Sequence, residues 1–228
     1  YNPYFANTQR MVDEGELGDI LQVNIHAQCG LSHNGSHAID TMRYLAQNGN
    51  ATWVFGEMES DEAASGDDDL SGNGYIAFDN GIRGFLRATA CGVANWETDV
   101  IGTEGRVRTL AGCQEVEWMH LASGGPRGRG VPVHGPVSLP AKFEGMGITI
   151  VDDLIDSVES DRSPRASIHD GRAALEIAIG LRESHRRGGM RVNLPLEDRS
   201  LKMMSVETKE DHTPARVRRL QAGGNQWT

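Results

Sequence analysis

The sequence predicts an α+β domain: an open, largely antiparallel β-sheet with helices packed on one of its faces. Three observations point there. Two helix-like segments frame one strictly alternating strand near the start. Short β-like runs separated by turn signals fill residues 51 to 120, and two amphipathic helices follow a Gly/Pro-rich stretch. Strands joined by short turns pair antiparallel, and the helices then have one sheet to cover. The other face needs a cover of its own, so the sequence predicts a homo-oligomer formed through the open sheet face.

Each element has its own signal. Residues 3 to 14 read as a helix, with Pro3 suited to the first turn and Gly15 to the left-handed stop. Leu21, Val23, Ile25, Ala27 and Cys29 alternate with Gln22, Asn24, His26 and Gln28, the period of a strand with one apolar face. The glycine-punctuated GLSHNGSH leads into a helix over 36 to 46, whose Ala38, Ile39, Met42, Leu45 and Ala46 follow helical spacing. Asp79-Asn80-Gly81 and Thr103-Glu104-Gly105 are hairpin turns between strand-like runs, and the acidic patch Asp67 to Asp69 reads as a solvated loop. Residues 121 to 140 read as a long loop. A helix over 146 to 159 puts Ile148, Val151, Leu154, Ile155 and Val158 on one face. Another over 169 to 187 ends at Gly188-Gly189, and MRVNLP forms a short closing strand. The expected domain covers residues 1–196, with 197–228 a polar tail or arm.

Composition excludes several functions. The 228 residues carry 22 Lys+Arg against 32 Asp+Glu, a net charge of −10, which argues against nucleic acid or an anionic membrane surface as partner. No apolar run approaches the ~18 residues of a membrane span, and no leader pattern opens the chain. Cys29, Cys91 and Cys113 lack metal-ligand spacing and fit reduced thiols, so the expectation is a cytoplasmic protein. The 28 glycines are well above the usual share of roughly 7%. Opening at Tyr1 directly on helix-like sequence, the chain reads as one domain of a longer polypeptide.

The region around His37 is the richest in chemistry. On a helix from about Ser36, His37, Asp40, Thr41 and Tyr44 fall at i, i+3, i+4 and i+7, a polar stripe opposite the apolar one. An imidazole in the first turn can be reached by a ligand and can pass a proton near neutral pH, with Asp40 biasing its protonation. The same spacing also fits an ordinary solvated helix face. His33 and His37 stand four apart, but no Glu follows His33 and Gly35 interrupts a continuous helix, so no metal is expected. The glycine clusters at 72–74 and 125–130 lack the strand-glycine-helix context of a dinucleotide or phosphate loop, so no cofactor-binding residues are assigned to this chain.

Two segments together resemble a known family. GSHAIDTMRYL (Gly35 to Leu45) is similar to the Gly-Gly-His-x-x-Asp-x-x-x-x-Leu helix of the Gfo/Idh/MocA oxidoreductases. SIHDGRAALEIAIGLRESHRRGGMRVNLP (Ser167 to Pro195) resembles their closing signature. DEGELGDILQV and VIGTEGRVR are similar to two of the family's turns and fall in the right order, so the resemblance spans roughly residues 4 to 195. It implies the family's C-terminal domain alone, of the dihydrodipicolinate-reductase-like kind, with the N-terminal Rossmann domain absent from this chain. It further implies NAD or NADP bound by the full-length parent and a sugar-like or polyol-like substrate. His37 falls on the family's catalytic histidine and Asp40 on its helix aspartate. Many members carry an acid four positions before the histidine, where this chain has His33. Ser32, His33 and Asn34 then offer neutral hydrogen bonds, so His33, Asn34 and Asp40 are the expected substrate-binding residues and the substrate itself stays open. The alternative is a non-catalytic ligand-binding or assembly module with the same fold.

Overall fold

The computed structural model describes residues 1–89, 92–110, 112, 115–124, 130–135, 137 and 146–204. The chain runs through α1 (Pro3–Asp13), β1 (Ile20–Ala27) and α2 (Gly35–Leu45), then β2 (Ala51–Met58), the short α3 (Asp61–Ser65), β3 (Gly72–Phe78) and β4 (Arg83–Ala88). It continues with β5 (Glu97–Gly102), β6 (Gly105–Leu110), β7 (Glu115–Ala122) and β8 (Val131–His134), and closes with α4 (Met146–Glu159), α5 (Ile168–Arg186) and β9 (Val192–Asn193). The strands make one sheet in the order β8-β7-β6-β5-β1-β4-β3-β2-β9. Among the described residues β1 and β4 run parallel, and every other neighbouring pair is antiparallel. This is the open, largely antiparallel α+β sheet that the sequence predicts.

Local chemistry sets the helix ends. Asn2 caps α1 by accepting the Tyr4 N–H at 2.9 Å, and Pro3 occupies the first turn, where its missing N–H costs nothing. Ser167 and Asp170 form a reciprocal capping box at the start of α5. The core lies between one sheet face and helices α2 and α5: Val23, Ile25, Val54 and Ile76 meet Ile39, Met42, Leu45, Ile177 and Leu181, all fully buried. Removing such side chains from water stabilises the fold by roughly 2 kcal/mol each. Gly56 lets α5 lie directly on β2, since a Cβ there would strike the backbone of Leu181.

Several expectations change. The apolar face of β1 begins at Ile20 rather than Leu21: the pairing of β1 with β5 shifts register between Ile20 and Gln22, so Ile20 is buried and Leu21 stands 50% exposed. The acidic patch is not a solvated loop. Asp67 faces Arg182 at 3.5 Å, Asp69 binds backbone amides, and Asp68 bridges to Met204. The stretch read as one loop over 121 to 140 contains β8, paired with β7. The first residues of the expected tail are packed: Met203 is buried, and the carbonyl of Lys202 accepts from Arg182. The rest of the tail, 205–228, lies outside the described residues, as do Cys91, Cys113 and the 125–129 glycine cluster, while Cys29 is free and buried.

Helix α4 is inverted. Its buried positions are Asp153 and Ser157, whereas Ile148, Val151, Leu154, Ile155 and Val158 are exposed. The spacing of its apolar face is as expected, but a polar staple holds the other face. Asp153 accepts from the Tyr1 hydroxyl at 2.7 Å, the Arg165 N–H at 2.9 Å and the Arg162 guanidinium at 2.8 Å.

The open sheet face carries an aromatic cluster. Trp53 stacks on Tyr75 at 5.1 Å between ring centroids, Phe85 meets Tyr75 edge-on at 5.0 Å, and Arg191 lies over Trp53. Beside it Gln22, Asn24, His26, Glu57, Asn73 and Arg87 border a depression of about 570 Å³.

Candidate functional site

The C-terminal end of β1 feeds α2 through residues 28–34, and this turn brings the sequence-predicted residues together. His33, Asn34 and His37 are exposed around the start of α2, and Asp40 is half-buried one turn further on. The apolar stripe of α2 explains the orientation. Ala38, Ile39, Met42 and Leu45 are buried against the sheet, so the opposite stripe, His37, Asp40, Thr41 and Tyr44, faces out. Asn34 occupies the helix cap position without a side-chain bond to the first turn, which leaves its amide free to meet a ligand.

The turn is fixed from beneath by Asp69, which the sequence marks only as part of a solvated acidic patch. One carboxylate oxygen accepts the Ser32 N–H at 2.7 Å and the other the His33 N–H at 2.8 Å. Gly30 makes room: a Cβ there would lie 2.7 Å from the Asp69 carboxylate. Leu31, fully buried, bonds the Leu70 carbonyl at 2.7 Å. On the other side Gln28 donates its backbone N–H to Asn95 Oδ1 at 2.9 Å and its side-chain amide to the Gly92 carbonyl, which holds residues 92–95 beside the site.

Charge is arranged around Arg43, buried beneath the stripe. Its guanidinium reaches Asp40 at 3.4 Å and Asp170 Oδ1 at 3.2 Å. Burial raises the Asp40 carboxyl above the usual carboxylate range, and the nearby positive charges of Arg43 and His37 only partly oppose it. Asp170 goes the other way: burial works against its charge, but hydrogen bonds from Ser167 and Arg43 outweigh it and hold the carboxyl low. Cys29, beneath the turn, has its thiol pushed up to about 11 by burial and by the charge of Asp69, which disfavours the thiolate.

A pyrophosphate does not fit this turn. It is the place where a strand of the sheet enters a helix through glycines, yet two of its inward N–H groups are already given to a carboxylate whose charge would repel phosphate. Among the described residues no group of three or more His, Cys, Asp or Glu side chains could hold a metal ion.

A family model described as the C-terminal alpha/beta domain of an oxidoreductase family, Gfo/Idh/MocA, matches residues 9–194. The chain belongs to that family. The Gfo/Idh/MocA domain is similar in fold to a levoglucosan dehydrogenase solved with NADH, at 22% identity and a TM-score of 0.62, covering 85% of this chain and 63% of that one. It also resembles the aldose-aldose oxidoreductase of Caulobacter crescentus complexed with glycerol, at 16% identity and a TM-score of 0.63, with 84% and 61% covered. The WlbA dehydrogenase of Bordetella pertussis, solved with NADH and UDP-GlcNAcA, matches at 16% identity and a TM-score of 0.63, with 86% and 61% covered. At these identities the likeness is one of fold. No curated protein matches the Gfo/Idh/MocA chain. It spans about 60% of the length of the solved relatives, and no helix among its described residues is long and apolar enough to cross a membrane.

Proposed function

We propose that this chain is the substrate-binding and oligomerisation domain of an NAD(P)-dependent oxidoreductase that acts on a hydroxyl of a sugar or polyol-like compound. The observation that carries the reading is the β1–α2 turn, which presents His33, Asn34 and His37 to solvent with Asp40 behind them. In this reading His33 and Asn34 bind substrate hydroxyls by neutral hydrogen bonds and Asp40 orients the substrate. His37 takes the proton of the reacting hydroxyl, or returns it in the reverse direction. The redox half of the reaction belongs to NAD or NADP on a separate nucleotide-binding domain, so the chain by itself does not turn over. The aromatic cluster on the open sheet face supports assembly with a second copy, because water-exposed aromatic surface of this kind is what interfaces cover.

The test is His37→Ala in a polypeptide that also carries the nucleotide-binding domain. The expected result is a kcat lowered about 100-fold, the usual weight of a positioned acid-base group, with an unchanged melting temperature. An unchanged kcat would leave a non-catalytic ligand-binding or assembly module as the better reading.

A further inference from the structure

We propose that Asp69 is the positioning residue of the α2 site, fixing the backbone from which His33 and Asn34 project and on which the His37 turn begins. The inference rests on the functional reading above and adds a residue 36 or more positions downstream of the backbone groups it holds.

The geometry is that of a clamp. Both oxygens of one carboxylate receive consecutive backbone N–H groups, those of Ser32 and His33, at 2.7 and 2.8 Å. Hydrogen bonds to an ionised acceptor are about twice as strong as neutral ones, and two from adjacent residues fix the peptide plane between them. The clamp is itself anchored. The Asp69 N–H bonds the Met204 carbonyl at 2.9 Å, and the Met204 N–H bonds the Asp67 carbonyl at 2.7 Å. Two glycines are shaped to the contact: Gly30 admits the carboxylate, and Gly35 passes close to the Gly30 carbonyl, to which it donates its N–H at 2.8 Å. Leu31 is sealed in the core between them, so the outward residues have a rigid footing although they are themselves exposed. Asn34 makes no side-chain cap bond, and the carboxylate on the inner side of the turn holds the two residues just before it, Ser32 and His33.

Asp69→Asn separates positioning from folding, because the amide keeps the shape but can accept only one of the two N–H groups and turns a donor toward the other. In the 228-residue chain, amide hydrogen exchange and histidine ring resonances are read by NMR. The expected result is about tenfold faster exchange at Ser32 and His33, the loss of roughly one charge-assisted bond, with shifted His33 and His37 ring signals and core exchange in β1 and β4 unchanged. In a polypeptide that includes the nucleotide-binding domain, kcat for the hydroxyl substrate falls about tenfold while the KM for NAD or NADP is unchanged, as misplacement of a reacting group requires. Levoglucosan, held with NADH in a solved protein of similar fold, serves as the probe substrate. Unchanged exchange at Ser32 and His33, or unmoved ring signals, overturns the proposal, and so does loss of core protection along with the turn. If His37→Ala leaves turnover intact while Asp69→Asn still frees the turn, the functional reading fails and the clamp stands.

Discussion

Arg43 on α2 and Asp170 in the first turn of α5 meet through a guanidinium nitrogen 3.2 Å from Oδ1, and the same nitrogen lies 3.4 Å from the Asp170 carbonyl. The contact ties the helix that carries the candidate site to the start of α5, and Asp170 is also the closing member of the α5 capping box. Arg43→Met keeps the bulk and removes the charge. It should cost about 2 kcal/mol in urea unfolding, less than the ~3–5 kcal/mol for breaking a fully buried pair, because Asp170 remains partly solvated.

The same substitution should move Asp40. Without Arg43, burial and the Asp170 charge both raise its carboxyl further. A site that needs Asp40 ionised then loses activity at the acid side of its profile at a higher pH than the parent, which a kcat/KM profile measures.

Asp153 predicts a local acid transition. The Arg165 N–H, the Tyr1 hydroxyl and the Arg162 side chain favour its charged form and hold its carboxyl at about 2 against an ordinary 3.8. A folded pKa below the unfolded value means stability that is present above about pH 4 and lost as pH falls toward 2. Helix α4 should therefore loosen in that window, seen as faster amide exchange over 146–159 before the sheet melts. Asp153→Asn should show the loosening at neutral pH.

Gly56→Ala places a methyl group against the Leu181 backbone, and neither β2 nor α5 can give way without opening the core between them. A loss of about 2 kcal/mol in urea unfolding is expected, typical of overpacking at a rigid contact.

The open sheet face makes its own prediction. Phe55→Glu with Phe85→Glu puts two charges into the aromatic cluster on the face away from the core, where both rings are 40% exposed. Sedimentation velocity should show the parent chain as an oligomer and the double variant as a monomer, with the same far-UV circular dichroism. A parent that sediments as a monomer removes the assembly role.

What the sequence disclosed follows physical range. Alternation and helical spacing are local, so α1, α2, α5 and most of β1 stand within a few residues of their expected bounds, and the turns at Asn80-Gly81 and Glu104-Gly105 fall where their residue types require. The exposed side of the candidate site was legible for the same reason, since the apolar stripe of α2 dictates which side chains face out. Its support was not. Asp69 meets Ser32 and His33 across 36 or more residues, and Arg43 meets Asp170 across 127. Such contacts are made by strand order, which spacing does not encode. The Leu21 position misled because a register shift reverses the side of every residue before it. Helix α4 misled because spacing reports that an apolar face exists without saying what it meets.

Strand β1 lies between β4 and β5, two strands that follow each other in the chain. Its partners are residues 83–88 on one edge and 97–102 on the other. The first strand of this sheet thus waits for both of its neighbours. At ~5–20 residues per second the ribosome leaves it waiting for several seconds with both edges unpaired. The meanders β2–β3–β4 and β5–β6–β7 pair strands adjacent in sequence, whereas β1 is paired to both half-sheets across long sequence separations, the kind of contact that slows folding. A chain that ends before β5 leaves one edge of β1, the strand that carries Val23, Ile25 and Ala27, without its partner, so passage of translation beyond residue 102 marks the point from which that strand can pair on both edges.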